Sequence, residues 1–317
     1  MKRGTLTFLA MALGLLLLPS GCRKEREHQI RIGYQPLAAN APLYVGMHTG
    51  AYKDAGLDCK LVPFQSAVAA MYALQRGEVD VLFAPPLNNI ADALAKAPGS
   101  FRVVAIHGND DTHFFEAFLA RKSSPIKDLA EFKEGSVGCF PGNFAEKIAR
   151  RILQDYGVGE SVVFKKLDLS AQLGALEGGS VDLLFAFEPL VSIAESKGIA
   201  KVLEASPITK HFFSPFPVSG VCISSEFVNK RRETAALFVK TNNAVMEKIS
   251  RRPGTMADPL AAFTQLEPGL AQRISQVYFS RVTLAQRAAT EKVLRLFRDL
   301  GVIEALPDMD TLFYEAH

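Results

Sequence analysis

The sequence predicts an α/β protein of two lobes, each a mainly parallel sheet flanked by helices. Its 317 residues are more than one compact core needs and suit two lobes. From Ile30 onward, short apolar segments alternate with helical ones, as in a parallel sheet with helices on both faces. One such unit recurs: residues 73–84 align without gaps with residues 175–186, at an offset of 102, and eight of the twelve positions are identical. We therefore expect the second lobe to be built like the first.

The first lobe is expected to contain four strands. A helix should begin near Asn40, because asparagine is a favoured N-cap and Pro42 suits the first helical turn. The apolar pattern predicts strands at 30–34, 57–64, 79–84 and 103–106, and helices at 38–49 and 68–74.

The second lobe is expected to repeat this arrangement. Asn143, with Glu146 three residues later, predicts a capping box at the start of a helix that Gly157 ends. Strands are predicted at 136–140, 162–167, 183–187 and 201–203.

Two apolar runs, 114–120 and 218–224, lie where the chain would pass between the lobes. We expect these runs to pair as a two-stranded hinge. They divide the chain into lobe I, residues 30–113 and 218–317, and lobe II, residues 114–217. The end of lobe I should be largely helical, because apolar residues recur there at helical spacing, as at Val293, Leu296, Phe297 and Leu300.

The amino terminus predicts export. Lys2 and Arg3 precede an apolar stretch, 6–18, that is too short to span a membrane alone. It ends in Ser20-Gly21-Cys22, which resembles the lipobox of bacterial lipoproteins, although Pro19 stands where that motif usually has Leu. We expect residues 1–21 to be a signal peptide, Cys22 to carry the lipid that anchors the protein to a membrane, and 22–29 to be a tether. Ordinary signal cleavage, which would give a soluble protein, is the alternative.

Composition excludes several classes of function. Removing Lys2 and Arg3 from the 36 basic residues leaves 34 against 33 acidic ones, and no basic run alternates with aromatics, so nucleic acid is not an expected partner. Cys59, Cys139 and Cys222 form no CxxC pair and have no metal-ligand spacing to histidine. No metal site and no catalytic residue is therefore assigned.

Four short segments, together with the export signal, resemble the substrate-binding proteins of ABC importers. The segments are 32–36 (IGYQP), 50–58 (GAYKDAGLD), 74–80 (LQRGEVD) and 187–189 (FEP). The branch they resemble handles sulfonates, taurine, nitrate and thiamine-precursor pyrimidines. The resemblance implies a two-lobe periplasmic binding protein-like fold of type II, whose lobes close on a small-molecule solute. It also implies an ABC transporter permease as partner, no cofactor and a monomeric protein.

In open parallel sheets, ligands bind beyond the carboxyl ends of the strands. Applied to the predicted strands, this rule selects Gln35, Asn40, Gln65, Ser66, Pro85 and His107 in lobe I, and Gly142, Asn143, Ser170, Phe187 and Glu188 in lobe II.

Several of these residues have alternative structural roles. Asn40 and Asn143 can cap their own helices, while the free N–H groups of the first turns remain able to bind an oxyanion or a carbonyl. Ser66 and Ser170, which we place in matching loops of the two repeats, one register step apart, can likewise be helix caps. His107 is also compatible with the interior of the lobe.

Glu188 gives the sharpest indication of the solute. A carboxylate 4 Å from a bare anion costs about 4 kcal/mol at an effective dielectric near 20, whereas it accepts hydrogen bonds readily from an amine. We therefore expect an amino-bearing sulfonate or a pyrimidine-like heterocycle, and rank nitrate and plain alkanesulfonates lower. The alternative is that Glu188 is only a solvated surface residue.

The rival class is an enzyme on the same fold, such as a menaquinone-pathway lyase or a pyrimidine synthase. The sequence has no nucleophile motif and no evident pair of catalytic carboxylates. An extracytoplasmic sensor domain is a third class, which would need a spanning helix or an output module. We expect a binding protein and not an enzyme.

Overall fold

The computed structural model describes residues 29–158, 161–264 and 266–314. The predicted signal peptide, Cys22 and all of the tether except Gln29 lie outside these residues. The strands are β1 (Gln29–Tyr34), β2 (Asp58–Pro63), β3 (Val81–Pro86), β4 (Phe101–Asn109), β5 (Glu116–Arg121), β6 (Ser136–Cys139), β7 (Val163–Lys166), β8 (Leu183–Phe187), β9 (Ala200–Ala205), β10 (Phe216–Ser224) and β11 (Tyr278–Arg281).

Helices cover the sheets and fill much of the carboxyl-terminal part of the chain. In the first half they are α1 (Ala41–His48), α2 (Ala51–Asp54), α3 (Ala67–Gln75), α4 (Leu87–Lys96) and α5 (Phe144–Asp155). They continue with α6 (Leu169–Glu177), α7 (Leu190–Ser196), α8 (Pro207–His211), α9 (Ser225–Lys230), α10 (Arg232–Arg251), α11 (Ala257–Thr264), α12 (Pro268–Ala271), α13 (Leu284–Asp299) and α14 (Met309–Leu312). Among the described residues, none of these helices has both the length and the apolar character needed to cross a membrane.

The strands form two sheets, which confirms the predicted α/β fold with two lobes. Sheet A has the order β11-β4-β10-β3-β1-β2, and sheet B has the order β7-β6-β8-β5-β9. In sheet A, β1 is parallel to β2 and β3, while β10 and β11 are antiparallel to their neighbours. In sheet B, β6 is parallel to β7 and β8, while β5 is antiparallel to β8 and β9. Both sheets are therefore mixed, although four of the six strands in sheet A and four of the five in sheet B run in the same direction, as expected for mainly parallel sheets.

Apart from β11 at the edge of sheet A, the two sheets share one strand order, in agreement with the internal repeat. Sheet A contains the order β2-β1-β3-β10-β4, and sheet B has the order β7-β6-β8-β5-β9. In both, the second strand of the lobe comes first, then its first and third strands, then one antiparallel strand (β10 or β5), and then its fourth strand. The repeated segment forms the same turn twice: Gly77 N–H donates to Leu74 O at 3.1 Å, and Gly179 N–H to Leu176 O at 3.2 Å. Both glycines have positive φ, +69° and +74°, a conformation that glycine adopts without a steric penalty.

The predicted two-stranded hinge is wrong. Strand β5 pairs with β8 and β9 inside sheet B, and β10 pairs with β3 and β4 inside sheet A, so the two runs do not pair with each other. The reason is burial. All nine residues of β10 and the first five of β5 are buried, and a strand that is buried on both faces is stabilised by a neighbour on each side. The lobes are instead connected by residues 110–115 and 206–215.

Aromatic side chains also join the two lobes. The ring of Phe144, on α5 of lobe II, lies 5.3 Å from the ring of Phe297, on α13 of lobe I. Phe297 in turn contacts Phe216 of β10 at 6.2 Å. The division of the chain at residues 114 and 218 remains a prediction, and β10 begins two residues before the second of these boundaries.

Candidate functional site

The loops after β1 and β2 meet at the carboxyl edge of sheet A. Gln35 follows β1 and donates from Nε2 to the backbone oxygen of Gln65 at 3.3 Å. Gln65 and Ser66 are both exposed. The hydroxyl of Ser66 accepts a bond from Ala69 N–H at 3.4 Å, so Ser66 is the N-cap of α3. The capping alternative for Ser66 is therefore correct, and a solute contact by its hydroxyl stays a prediction.

Asn40 lies at the start of α1 but does not cap it through its side chain. It occupies the N-cap position, is 1% exposed and accepts no bond from the helix. Its Nδ2 donates to the backbone oxygen of Gln35 instead. The side chain thus fastens the loop that follows β1, and the first turn of α1 retains free backbone N–H groups.

Pro85 and His107 lie within strands and not in loops beyond them. Strand β3 continues to Pro86, and Pro85 is buried within it. His107 is fully buried in β4, between Ser219 of β10 and Phe279 of β11, and its ring lies edge-on to Phe279 at 4.9 Å. Neither ring nitrogen of His107 has a hydrogen-bond partner among the described residues. Burial lowers its pKa to about 3, so the imidazole is neutral.

In lobe II, Gly142 and Asn143 form an exposed turn after β6. Gly142 has a φ of +110°, which the loop needs to turn into α5. Asn143 is the N-cap residue by position, but its side chain accepts no bond from the helix. The predicted capping box does not form, because Glu146 pairs with Arg150 and Lys166 instead, each at 3.3 Å.

Ser170 is not the structural counterpart of Ser66. The repeat offset of 102 places Asp168 opposite Ser66, and Asp168 is the N-cap residue of α6. Ser170 lies two positions further, as the second residue of the helix, and is exposed. The two serines are therefore two positions apart in the repeat, where one was expected, and Ser170 lies in the helix and not in the matching loop.

Glu188 directly follows β8, as predicted, and is only 8% exposed. Its carboxylate accepts bonds from Ser192 Oγ at 2.7 Å and from Ser192 N–H at 3.0 Å, so it caps α7. The backbone of Ser275, in lobe I, lies close enough to lower the pKa of Glu188 as well. Burial raises the pKa of Glu188 above its ordinary value, although these bonds oppose the rise. Glu188 is therefore not a solvated surface residue, and it lies where lobe II approaches the backbone of Ser275 in lobe I.

Phe187 presents an aromatic surface beside Glu188. Its ring lies 5.1 Å from Phe115 and 6.5 Å from Phe144. A group of aromatic rings also lies near the second connection, where the ring of Phe213 is 5.1 Å from that of Phe216. The sequence did not indicate that Phe297 would join this group from α13.

Two positive charges that lie close to predicted site positions in the sequence are engaged elsewhere. Arg102 donates to the backbone oxygen of Phe101 at 3.0 Å, and Lys166 pairs with Glu146. Within the described ranges, no group of His, Cys, Asp and Glu side chains is arranged to hold a metal ion. The candidate site is therefore one of backbone amides, side-chain amides, hydroxyls, rings and one carboxylate.

Sequence reasoning missed Asn109 and Glu116, at the two ends of the connection from lobe I to lobe II. Asn109 Nδ2 donates to the carboxylate of Glu116 at 2.7 Å, and both residues are buried. The signal was present, because Glu116 is a single carboxylate within the apolar run 114–120.

Comparison with known families decides the relationship. The family model described as NMT1/THI5 like matches residues 38–255, more than half of the chain. The chain belongs to the NMT1/THI5 like family. A comparison of this NMT1/THI5 like protein with curated protein sequences gives no match.

Solved structures share the fold of this NMT1/THI5 like protein at low sequence identity. The periplasmic aliphatic sulphonate binding protein SsuA from Escherichia coli is 18% identical, with a TM-score of 0.74 over 92% of this chain and 93% of that one. The alkanesulfonate-binding protein SsuA from Xanthomonas axonopodis pv. citri, bound to MOPS, is 17% identical, with a TM-score of 0.72 over 90% and 98%. The desulfurization enzyme DszB is 14% identical, with a TM-score of 0.66 over 89% and 95%.

Proposed function

We propose that this protein is an extracytoplasmic solute-binding protein that captures a small organic solute between its lobes and passes it to the permease of an ABC importer. The observation that carries the proposal is the shared strand order of the two sheets. Two equivalent lobes, joined by two connections, are the architecture in which hinge closure buries a ligand. The sulfonate-binding proteins with the same fold support this function.

The solute class follows from the chemistry of the predicted positions. These positions supply amide and hydroxyl groups, the ring of Phe187 and the carboxylate of Glu188, and none of them is Lys or Arg. A carboxylate has about four acceptor sites, so Glu188 can accept a bond from a solute in addition to the two from Ser192. An amino-bearing sulfonate or a pyrimidine-like heterocycle fits this set better than nitrate or a plain alkanesulfonate does.

Location and partners complete the proposal. We place the protein outside the cytoplasm, as a monomer anchored through a lipid on Cys22. The export signal and the Ser20-Gly21-Cys22 sequence support this placement.

Calorimetric titration tests the proposal. The full-length protein, in detergent, is titrated with taurine, an aminopyrimidine, nitrate and ethanesulfonate. Taurine or the aminopyrimidine should bind best, and Glu188→Gln should weaken that binding about tenfold, because a hydrogen bond to a charged group contributes about 1.5–3 kcal/mol.

Glu195→Gln is the matched control, since Glu195 lies on the same helix α7 and is exposed. It should bind the solutes as the wild type does. Tightest binding of nitrate or ethanesulfonate, with Glu188→Gln unchanged, would contradict the proposed solute class. If none of the four solutes binds, the proposed solutes are wrong. Closure of the two lobes on another small solute would then test the solute-binding function itself.

A further inference from the structure

Glu116, the first residue of β5, carries a carboxylate that is enclosed by neutral hydrogen-bond donors. Its side chain accepts bonds from Asn109 Nδ2 at 2.7 Å, Phe115 N–H at 3.2 Å and Ile208 N–H at 3.3 Å. The residue is 1% exposed. Its backbone oxygen also accepts a bond from Ser206 N–H at 3.1 Å.

These partners belong to both connections between the lobes. Asn109 is the last residue of β4 in sheet A, so its bond to Glu116 spans the connection 110–115. Ile208 lies on α8, inside the second connection, 206–215. A rotation of one lobe about these connections would move Asn109 away from Glu116. The carboxylate of Glu116 therefore contacts both connections, and a hinge motion of the lobes would change its hydrogen bonds.

Among the described residues, no positively charged group forms an ion pair with Glu116 within 4.0 Å, although neighbouring segments carry charged groups. In the first connection, Asp110 bonds His113 at 2.9 Å, and beside α8, Glu204 of β9 bonds His211 at 3.4 Å and Lys210 at 3.7 Å. Glu188, after β8, is bonded to Ser192. These groups are paired with one another, so Glu116 is left with neutral donors only.

A buried carboxylate without a cation favours its neutral form, because burial penalises the charge. Burial accordingly raises the pKa of Glu116 to about 7, against the hydrogen bonds from Phe115, Asn109 and Ile208 that lower it. Exposure to water would return the pKa to its ordinary value, about 4.3.

The neutral form also has an acceptor available. Asn109 Oδ1 is buried and has no hydrogen-bond partner among the described residues. A half-turn of the side-chain amide exchanges Oδ1 with Nδ2, which lies 2.7 Å from the carboxylate of Glu116. The O–H of the neutral carboxyl can then donate to Asn109 Oδ1 at a normal distance for an O–H···O bond.

We propose that the joint between the lobes is proton-linked, with Glu116 taking up a proton when the connections close around it and releasing it when they separate. The joint is then tightest in acid and loosens as the pH rises. This inference concerns the joint and does not depend on which solute the protein binds.

The sign follows from linkage. The enclosed carboxyl binds its proton more tightly than the exposed one does, so between the two pKa values a rising pH favours the separated connections. The ratio of open to closed joints should rise by nearly tenfold per pH unit between about pH 5 and pH 7 and level off above about pH 7.5.

Hydrogen exchange of the full-length protein measures this opening. The protection factor corrects for the intrinsic pH dependence of exchange. In the wild type, the protection factors of the Phe115 and Ile208 amides should fall by 10-fold or more between pH 5 and pH 7 and then level off. Glu116→Gln, which is neutral at every pH and similar in shape, should keep a constant protection factor over the same range.

Asp111→Asn is the control, since Asp111 is an exposed carboxylate in the same connection. It should follow the wild type. A wild-type protection factor that does not change between pH 5 and pH 8 would overturn the proposal, and this result is independent of whether Glu116→Gln folds. A Glu116→Gln protein that follows the wild-type curve would overturn it as well, by assigning the response to another group.

Discussion

Asp80 and Arg31 hold the first and third strands of lobe I together. The backbone N–H of Arg31 donates to the carboxylate of Asp80 at 2.8 Å, and Asp80 N–H donates back to Arg31 O at 2.8 Å. Asp182 and Ser136 form the same pair of bonds in lobe II, at 2.8 and 3.0 Å. The aspartate of the repeated Val-Asp pair, at 79–80 and at 181–182, therefore joins two strands in each lobe.

The two aspartates differ in charge pairing, which predicts different effects of substitution. Asp80 also binds the guanidinium groups of Arg31 at 2.8 Å and Arg231 at 2.6 Å. Burial would raise the pKa of Asp80, but these bonds outweigh it and hold the pKa below its ordinary value. Asp80→Asn should lower the free energy of unfolding by about 3 kcal/mol, because it removes the carboxylate that pairs with Arg31 and Arg231. Asp182→Asn should lower it by about 1 kcal/mol, since the amide can still accept from Ser136.

Urea denaturation at pH 7 measures both variants. The contribution of Asp80 should be present above pH 4 and lost as the pH falls through the lowered pKa, so the difference between Asp80→Asn and the wild type should shrink in acid. Equal effects of the two substitutions at pH 7 would mean that the arginines contribute nothing beyond the shared backbone bonds.

The local pattern of the sequence predicted the strands of both lobes and their equivalence. It could not predict which strands β5 and β10 would join, because an apolar run such as 218–224 suits any position with two neighbours. Strand β11 is short and only partly buried, so its residues have no clear apolar alternation to indicate it.

For the candidate site, the carboxyl-end rule placed two of its residues, Pro85 and His107, in loops although both lie within strands, and it could not give the partners of the selected side chains. Whether Glu188 faces a solute or caps α7 depends on where Ser192 lies after one helical turn. His107 was assigned to a loop because β4 continues three residues beyond the predicted strand. Such details depend on three-dimensional contacts and not on the local pattern.

His107 should make the protein less stable in acid. Its pKa of about 3 lies below the ordinary value of 6.5, so the unfolded chain takes up the proton first as the pH falls. This contribution to stability is present above about pH 6.5 and is lost at about 1.4 kcal/mol per pH unit below it. His107→Leu should remove that loss and, because both unpaired ring nitrogens disappear, raise the free energy of unfolding at pH 7 by about 1 kcal/mol.

Urea denaturation of His107→Leu at pH 5 and pH 7 measures both effects. His48→Gln is the control, since His48 is exposed, and it should keep the wild-type pH dependence. A destabilised His107→Leu protein would show that the imidazole has a partner in solution. Loss of solute binding at unchanged stability would instead support the ligand role that the sequence predicted for His107.

Cys22 should determine where the protein resides in the cell. Cys22→Ser removes the thiol that would carry the lipid, so the protein should move from the membrane to the soluble fraction and lose labelling by a fatty-acid probe. Cys59→Ser is the control, because Cys59 lies in β2, and it should stay with the membrane. A wild-type protein that is exported, unlabelled and soluble would contradict lipid anchoring, and Pro19 would be the natural explanation.

Ser66 and Ser170 were both predicted to contact the solute, and alanine substitution separates that role from helix capping. Ser66→Ala removes the acceptor for Ala69 N–H and should lower the free energy of unfolding by about 0.5–1 kcal/mol. Ser170→Ala changes an exposed residue of α6 that is not its N-cap, so its effect should stay within about 0.5 kcal/mol.

Denaturation and calorimetric titration of both variants, with the solute that binds the wild type best, measure the two roles independently. If the two serines contact the solute from opposite lobes, both variants should bind it more weakly, whatever their stability. Weaker binding by neither variant would leave Ser66 as a helix cap alone and would remove both serines from the site.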